Sequence, residues 1–146
     1  IPADMPLLLG TMRQRGGAFA ALAKRLQDFL DDGRLRVVPD GYWNEPLFLP
    51  HLPKRLADPM EGSRLVILKG DANYRRATHD ALGPHGTTLG HVLRGFPAPL
   101  LALRTLKSDT RVGVAAATQA RLSTEHGGEA WRTNGTYGVA QFAAQP

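Results

Sequence analysis

Apolar residues at Phe19, Leu22, Leu26, Phe29 and Leu30 recur three and four positions apart, with Lys24, Arg25 and Asp28 between them. That spacing lines one side of a 3.6-residue turn and predicts an amphipathic helix, with Gly33 as its C-terminal stop. A shorter helix is expected over residues 4–15, with Asp4 as N-cap and Pro6 in the first turn, broken by Gly16-Gly17. Two continuous apolar runs obey a different rule. Arg64–Leu68 and Leu100–Leu103 are too short for helices and show no polar alternation, the pattern of strands covered on both faces of a parallel sheet. Further strands are expected at Leu35–Val38, Arg111–Val114 and Tyr137–Phe142, and further helices at residues 54–58, 73–79 and Ala117–Glu125. Pro39-Asp40-Gly41 has turn chemistry, and residues 42–53 and 83–99 are expected to be loops. Strands that alternate with helices predict an α/β architecture.

Composition narrows the class of protein. The 146 residues, 42% hydrophobic and 21% charged, suit one globular domain or part of a larger one. No apolar run nears the roughly 20 residues that span a bilayer. The absence of cysteine removes disulfides, thiolate metal sites and a thiol nucleophile, and leaves His, Asp, Asn and Glu as metal ligands. His51, His79, His85, His91 and His126 lack the short spacing of a zinc site. Ser63, Ser108 and Ser123 have no G-x-S-x-G context, and Gly86–Gly90 lacks the Lys-Ser/Thr ending of a P-loop. The +5 charge invites a nucleic-acid reading, but no basic run exceeds two residues, as at Arg75-Arg76, and aromatics are only 7%. Ile1-Pro2-Ala3-Asp4 carries neither an initiator Met nor a signal pattern, so a fragment or cleaved chain of cytoplasmic origin is expected.

The chemistry is expected where the two apolar strands end, because open α/β sheets bind ligands beyond the carboxyl ends of their strands. The first end is Lys69-Gly70-Asp71-Ala72-Asn73-Tyr74-Arg75. Gly70 permits a tight turn, backbone N–H groups beyond it favour an anion, and Arg75 offers a planar fork for phosphate. The second end is Arg104-Thr105-Leu106-Lys107. Strand alternation sends Arg104 and Leu106 to one side, Thr105 and Lys107 to the other. Lys107 is then a point charge suited to a phosphoryl oxygen.

Leu68-Lys69-Gly70-Asp71-Ala72-Asn73-Tyr74-Arg75-Arg76 resembles the KGDxNYR signature of the damage-control phosphatase family. The branch it most resembles includes the acidic residue methyltransferase-like proteins, also called sugar phosphate phosphatases. Arg104-Thr105-Leu106-Lys107 is similar to that branch's RTxK motif, and Trp131–Gln141 (WRTNGTYGVAQ) and Trp43 in its Pro-rich loop fit as well.

The resemblance implies a three-layer α/β/α fold with a mostly parallel Rossmann-like sheet, incomplete here, with residues 1–146 as the C-terminal part of the catalytic domain. It implies a metal-dependent phosphatase of phosphorylated metabolites such as fructose 1-phosphate, using manganese, cobalt, nickel or magnesium. The family's Asp-Asn metal pair has no counterpart in this sequence, so the ligands are expected upstream and the chain alone is expected to be inactive. Lys107 and Asp71 carry over as catalytic residues, and Asp71, Ala72, Asn73, Tyr74, Arg75 and Lys107 as substrate contacts. Lys69, Gly70, Arg104 and Asp80 carry over as supporting residues, Arg104 through an ion pair and Asp80 as a cap or a brace for Arg75 or Arg76. The implied partner is a small phosphorylated substrate, with no membrane and no nucleic acid; the oligomeric state is left open. Two other readings stand beside this one: an S-adenosylmethionine-dependent carboxyl methyltransferase, and a basic nucleic-acid-binding module.

Overall fold

The computed structural model describes residues 3–84 and 86–144, which leaves His85 outside the described residues. The chain divides into two compact units, one ending at Glu45 and one beginning at Pro46.

The first unit is a pair of helices, α1 (Asp4–Arg15) and α2 (Gly17–Asp31), packed against each other. Helix α1 begins one residue earlier than a cap at Asp4 requires. Ala3 takes the N-cap position, and Asp4 stands in the first turn, where its charge still complements the helix dipole. In α2, Leu26, Phe29 and Leu30 are half-buried while Phe19 and Leu22 remain largely exposed. The strand expected at Leu35–Val38 does not form. The segment is free of regular structure, and Val37 and Val38 are exposed, because no neighbouring strand supplies the hydrogen bonds that turn local propensity into a ladder. A 3-10 turn, Gly41–Asn44, follows, opened by Asp40 accepting from the Tyr42 backbone N–H.

The second unit opens with a 3-10 turn (Leu49–His51) and helix α3 (Lys54–Ala57), and then builds a mixed three-stranded sheet. Strand β1 (Val66–Lys69) leads into α4 (Asp71–Ala77), and a short α5 (Leu89–Val92) precedes β2 (Leu100–Thr105). Helix α6 (Ala116–Glu125) then leads to β3 (Gly138–Ala143). Strands β1 and β2 are parallel, as their apolar runs predict, whereas β3 returns antiparallel along β2. This is an incomplete α/β arrangement of the expected class.

The register sorts side chains cleanly. Leu68, Leu100, Ala102, Arg104 and Ala143 point to the covered face, and all are buried. Ile67 and Phe142, both aligned with Leu101, lie on the other face and are 58% and 62% exposed. Strand β1 is therefore covered on one face in this chain rather than on both. Helix α4 packs across β1 and β2, and a core of Leu106, Leu122 and Trp131, with Val114, Tyr137 and Val139 against it, lies beyond the end of β2.

Two further expectations meet tertiary structure. Arg111–Val114 is a turn rather than a strand, because its carbonyls and amides are claimed by side chains and loops, as described below. Within residues 83–99, Thr88 caps α5 by accepting from the His91 N–H, a local signal strong enough to start a helical turn in a Gly/Pro-rich stretch.

Candidate functional site

The turn out of β1 is made by Gly70. Its φ of +99° is a region that L side chains rarely adopt, its N–H donates to the Leu103 carbonyl at 2.8 Å, and its carbonyl accepts from Tyr74 N–H at 3.0 Å. The chain thus leaves the parallel pair and enters α4 at once, two residues before the predicted start. Asp71 is thereby the first helical residue and lies next to the end of β2.

At that end, the alternation of β2 continues past the strand. Arg104 and Leu106 are buried, and Thr105 and Lys107 are exposed. Arg104 is 5% exposed and is engaged through both of its terminal nitrogens, while its buried Nε has no partner. Its Nη2 lies 2.9 Å from Asp71 Oδ1 and donates to the Ser108 carbonyl and Oγ at 3.1 Å each, and Nη1 donates to the Thr110 carbonyl at 2.8 Å. Its guanidinium lies over the Tyr74 ring, 4.4 Å from the centroid. Ser108 Oγ donates in turn to Asp71 Oδ1 at 3.1 Å. Asp71 and the turn bearing Lys107 are therefore joined through two side chains. A buried ion pair of this kind relies on further hydrogen bonds, and the two carbonyls supply them to the terminal nitrogens of Arg104, though not to its Nε.

Tyr74 lies beneath. It is 1% exposed, and its hydroxyl sits 2.6 Å from both the Val112 carbonyl and Gln141 Oε1, two acceptors for its one proton. In this structure it has no surface to offer a ligand; its place in the expected contact set is below the others. Asn73 donates its amide to the Lys69 carbonyl at 2.9 Å and so braces the turn. Arg75 turns to Asp80, Nε to Oδ1 at 2.6 Å and Nη2 to Oδ2 at 2.5 Å, at the surface. Ala72, Lys69 and Lys107 are exposed. An open cleft of ≈ 420 Å³ lies at the strand ends, lined in part by Lys69, Gly70, Thr105, Gly138 and Val139; Asp71 and Lys107 line no part of it.

Lys107 is exposed, but its backbone is not loose. Leu106 is anchored in the Trp131 core, its N–H donates to the Tyr137 carbonyl at 2.8 Å, and its carbonyl accepts from Gly135 N–H at 3.0 Å. The Asn134–Tyr137 turn of the third motif thus backs the lysine. Sequence reasoning gave no role to Ser108, Thr110 or Gly113. Ser108 and Thr110 follow the RTxK-like motif directly and carry hydroxyl or carbonyl acceptors, yet no local pattern points them at Arg104.

Burial pushes the Tyr74 hydroxyl pKa up, against the opposing pull of Arg104 and the hydrogen bond to Gln141. Above a pH of about 10 the unfolded chain loses this proton while the folded chain keeps it, so stability falls as pH rises through that range. Tyr74→Phe is expected to flatten this alkaline limb in urea denaturation followed from pH 8 to 11. Arg75 holds the Asp80 carboxyl below its usual range, a contribution present above pH 3.8 and lost on acidification.

Gly113 has a φ of +72°, and a Cβ there would lie 2.3 Å from Gln141 Nε2. Gly113→Ala is expected to destabilise the chain by about 1–3 kcal/mol, read as a lower urea midpoint, because the Gln141 amide must leave its place.

A divalent metal calls for several carboxylate, carboxamide or imidazole ligands around one point. Among the described residues no group of three or more His, Asp or Glu is placed to hold one. Asp71, the acid nearest the strand ends, is spent on Arg104 and Ser108. The described residues, by themselves, do not fit a metal centre.

The helix start that bears Asp71 and the turn that bears Lys107 thus meet beyond the carboxyl ends of two parallel strands of an α/β domain. The family model of the damage-control phosphatase ARMT1-like domain matches residues 1–122, and the chain belongs to that family. Among its relatives are proteins named damage-control phosphatase ARMT1. That of Danio rerio is 44% identical over 90 residues, covering 61% of this chain and 20% of the relative. The Mus musculus protein is 33% identical over 116 residues, 75% of this chain and 26% of the relative. The Xenopus laevis protein is 41% identical over 90 residues, 60% of this chain and 20% of the relative. The chain thus spans about a fifth to a quarter of the length of these curated relatives. No described helix is long and apolar enough to cross a membrane.

Proposed function

We propose that this chain supplies the substrate-holding half of a phosphomonoester hydrolase that acts on phosphorylated metabolites, with a sugar phosphate such as fructose 1-phosphate as the kind of substrate. The observation that carries the reading is the bridge from Asp71 through Arg104 and Ser108 to the turn of Lys107, which ties the two motifs into one construction. In this reading the divalent metal that the family implies, manganese, cobalt, nickel or magnesium, takes its ligands from polypeptide outside this chain.

In this reading Lys107 presents its ammonium to the phosphoryl oxygens as a compact charge that a buried core holds in place. Asp71 keeps a fixed orientation and accepts from a hydroxyl of the sugar, since a carboxylate aimed at phosphate would be repelled. Ala72 lets the substrate approach the helix start, while Asn73, Tyr74 and Arg104 hold the frame. Arg75 is the cation that exchanges its Asp80 partner for a phosphate oxygen. Hydrolysis breaks the bond between phosphorus and the ester oxygen; water's oxygen ends on phosphate, and a proton goes to the released sugar.

The test is phosphate release from fructose 1-phosphate with manganese by a longer polypeptide that restores an upstream Asp-Asn pair. Release is expected there and none from the 146-residue chain. A folded longer protein without activity overturns the proposal. Calorimetric binding of S-adenosylmethionine would favour the methyltransferase reading instead, and tight RNA or DNA binding that weakens steeply with salt the nucleic-acid one.

A further inference from the structure

We propose that Gln141 is a positioning residue of the phosphate site, fixing the turn that bears Lys107 through the hydroxyl of Tyr74. The inference rests on the phosphate reading above and adds to it a residue beyond position 122, the last residue the family model matches.

Gln141 sits in β3 as the register partner of Ala102, on the same covered face as Arg104 two residues along β2. Its Nε2 donates to the Val112 carbonyl at 3.0 Å, and its Oε1 lies 2.6 Å from the Tyr74 hydroxyl, which is also 2.6 Å from that carbonyl. The N–H of the same peptide unit, on Gly113, donates to the Thr87 carbonyl at 2.7 Å. The Val112–Gly113 peptide is thus held at its oxygen and at its nitrogen. One side chain there must donate to a carbonyl and also accept from a hydroxyl, which a primary amide does and neither a carboxylate nor a thioether can. The absence of a Cβ on Gly113 leaves the room.

The hold passes on through Tyr74. The ring that Gln141 fixes by its hydroxyl carries the Arg104 guanidinium on its face, and Arg104 grips Asp71 and the carbonyls of Ser108 and Thr110. The segment from Leu106 to Gly113 therefore hangs at one end from the Trp131 core and at the other from Gln141 and Thr87, with Arg104 in the middle. Lys107 lies within it. Three sequence motifs far apart in the chain meet at this network, and Gln141 is the contribution of the third.

The test uses the 146-residue chain and four proteins: wild type, Gln141→Met, Tyr74→Phe and the double variant. Methionine fills similar space and supplies neither hydrogen bond. Amide hydrogen exchange at Gly113 and titration with inorganic phosphate, followed at the Lys107 amide by NMR, are the two readouts. Gly113 exchange is expected to rise roughly tenfold in Gln141→Met, and the phosphate dissociation constant about three- to tenfold; in the Tyr74→Phe background both effects of Gln141→Met are expected to shrink but not vanish, because Nε2 still holds the Val112 carbonyl. Wild-type exchange in Gln141→Met, or an effect undiminished without the Tyr74 hydroxyl, overturns the proposal. Should Gln141→Met not fold, Gln141→Glu keeps the acceptor and loses the donor, and no change in Gly113 exchange there overturns it equally. Phosphate binding that is absent in wild type, or indifferent to Lys107→Met, removes the phosphate reading and with it the functional part of this proposal. The exchange readout then still decides whether Gln141 holds the turn.

Discussion

Lys107→Met is expected to lower phosphate release by the longer polypeptide by about 10²- to 10³-fold, the loss typical of removing one preorganised donor from a developing oxyanion. Methionine preserves the length of the stem and removes only the charge. The size of the effect discriminates. A lysine that merely solvates the surface contributes less than about 1 kcal/mol, or about fivefold. Lys107 is exposed, which by itself fits either case. What argues for the larger value is the backbone beneath it: Leu106 is locked in the Trp131 core and hydrogen-bonded to the Tyr137 carbonyl and the Gly135 N–H, so the root of the lysine is fixed before any ligand arrives. Lys107→Arg is not expected to restore the activity, because the planar fork spreads its charge and needs more room than a point-like ammonium. A loss below fivefold in Lys107→Met, measured as kcat/KM on fructose 1-phosphate, would return the residue to the surface.

Arg104→Met is expected to destabilise the chain by about 3–5 kcal/mol, the cost of removing one partner from a buried pair. The Arg104 side chain is 1% exposed and Asp71 15%, so the stranded carboxylate recovers little hydration. The carbonyls of Ser108 and Thr110 lose their donor, and the Tyr74 ring loses the cation on its face. Urea denaturation checks this through the midpoint at constant slope. Adding Asp71→Asn should recover part of the loss, since it removes the uncompensated charge. A cost under about 1 kcal/mol for Arg104→Met would show that the pair behaves as a surface ion pair and does not organise the site.

Some of this architecture is local and was legible. The apolar runs expected at Arg64–Leu68 and Leu100–Leu103 yield the strands Val66–Lys69 and Leu100–Thr105, because each needs little beyond its own side chains and a parallel neighbour. The helical period of residues 19–30 holds as α2. The strict alternation along β2 was legible as well, and it puts Arg104 inward and Lys107 outward. Other residues read wrongly for one shared reason. Leu35–Val38 and Arg111–Val114 have the composition of strands, but a strand exists only where a neighbour completes its ladder. The first segment has none, and the second gives its Val112 carbonyl to Tyr74 and Gln141.

The sequence by itself determined the kind of fold, the two strand ends and the residue types gathered there, because these follow from short-range periodicity and from motifs a few residues long. Tertiary structure alone decided the pairings that join those ends. Asp71 meets Ser108 across 37 positions, and Tyr74 meets Gln141 across 67. Hydrogen bonds at such separations leave no trace in local pattern. They form because closing the sheet brings their carriers together under cover, where a buried donor or acceptor left without a partner costs about 1–3 kcal/mol.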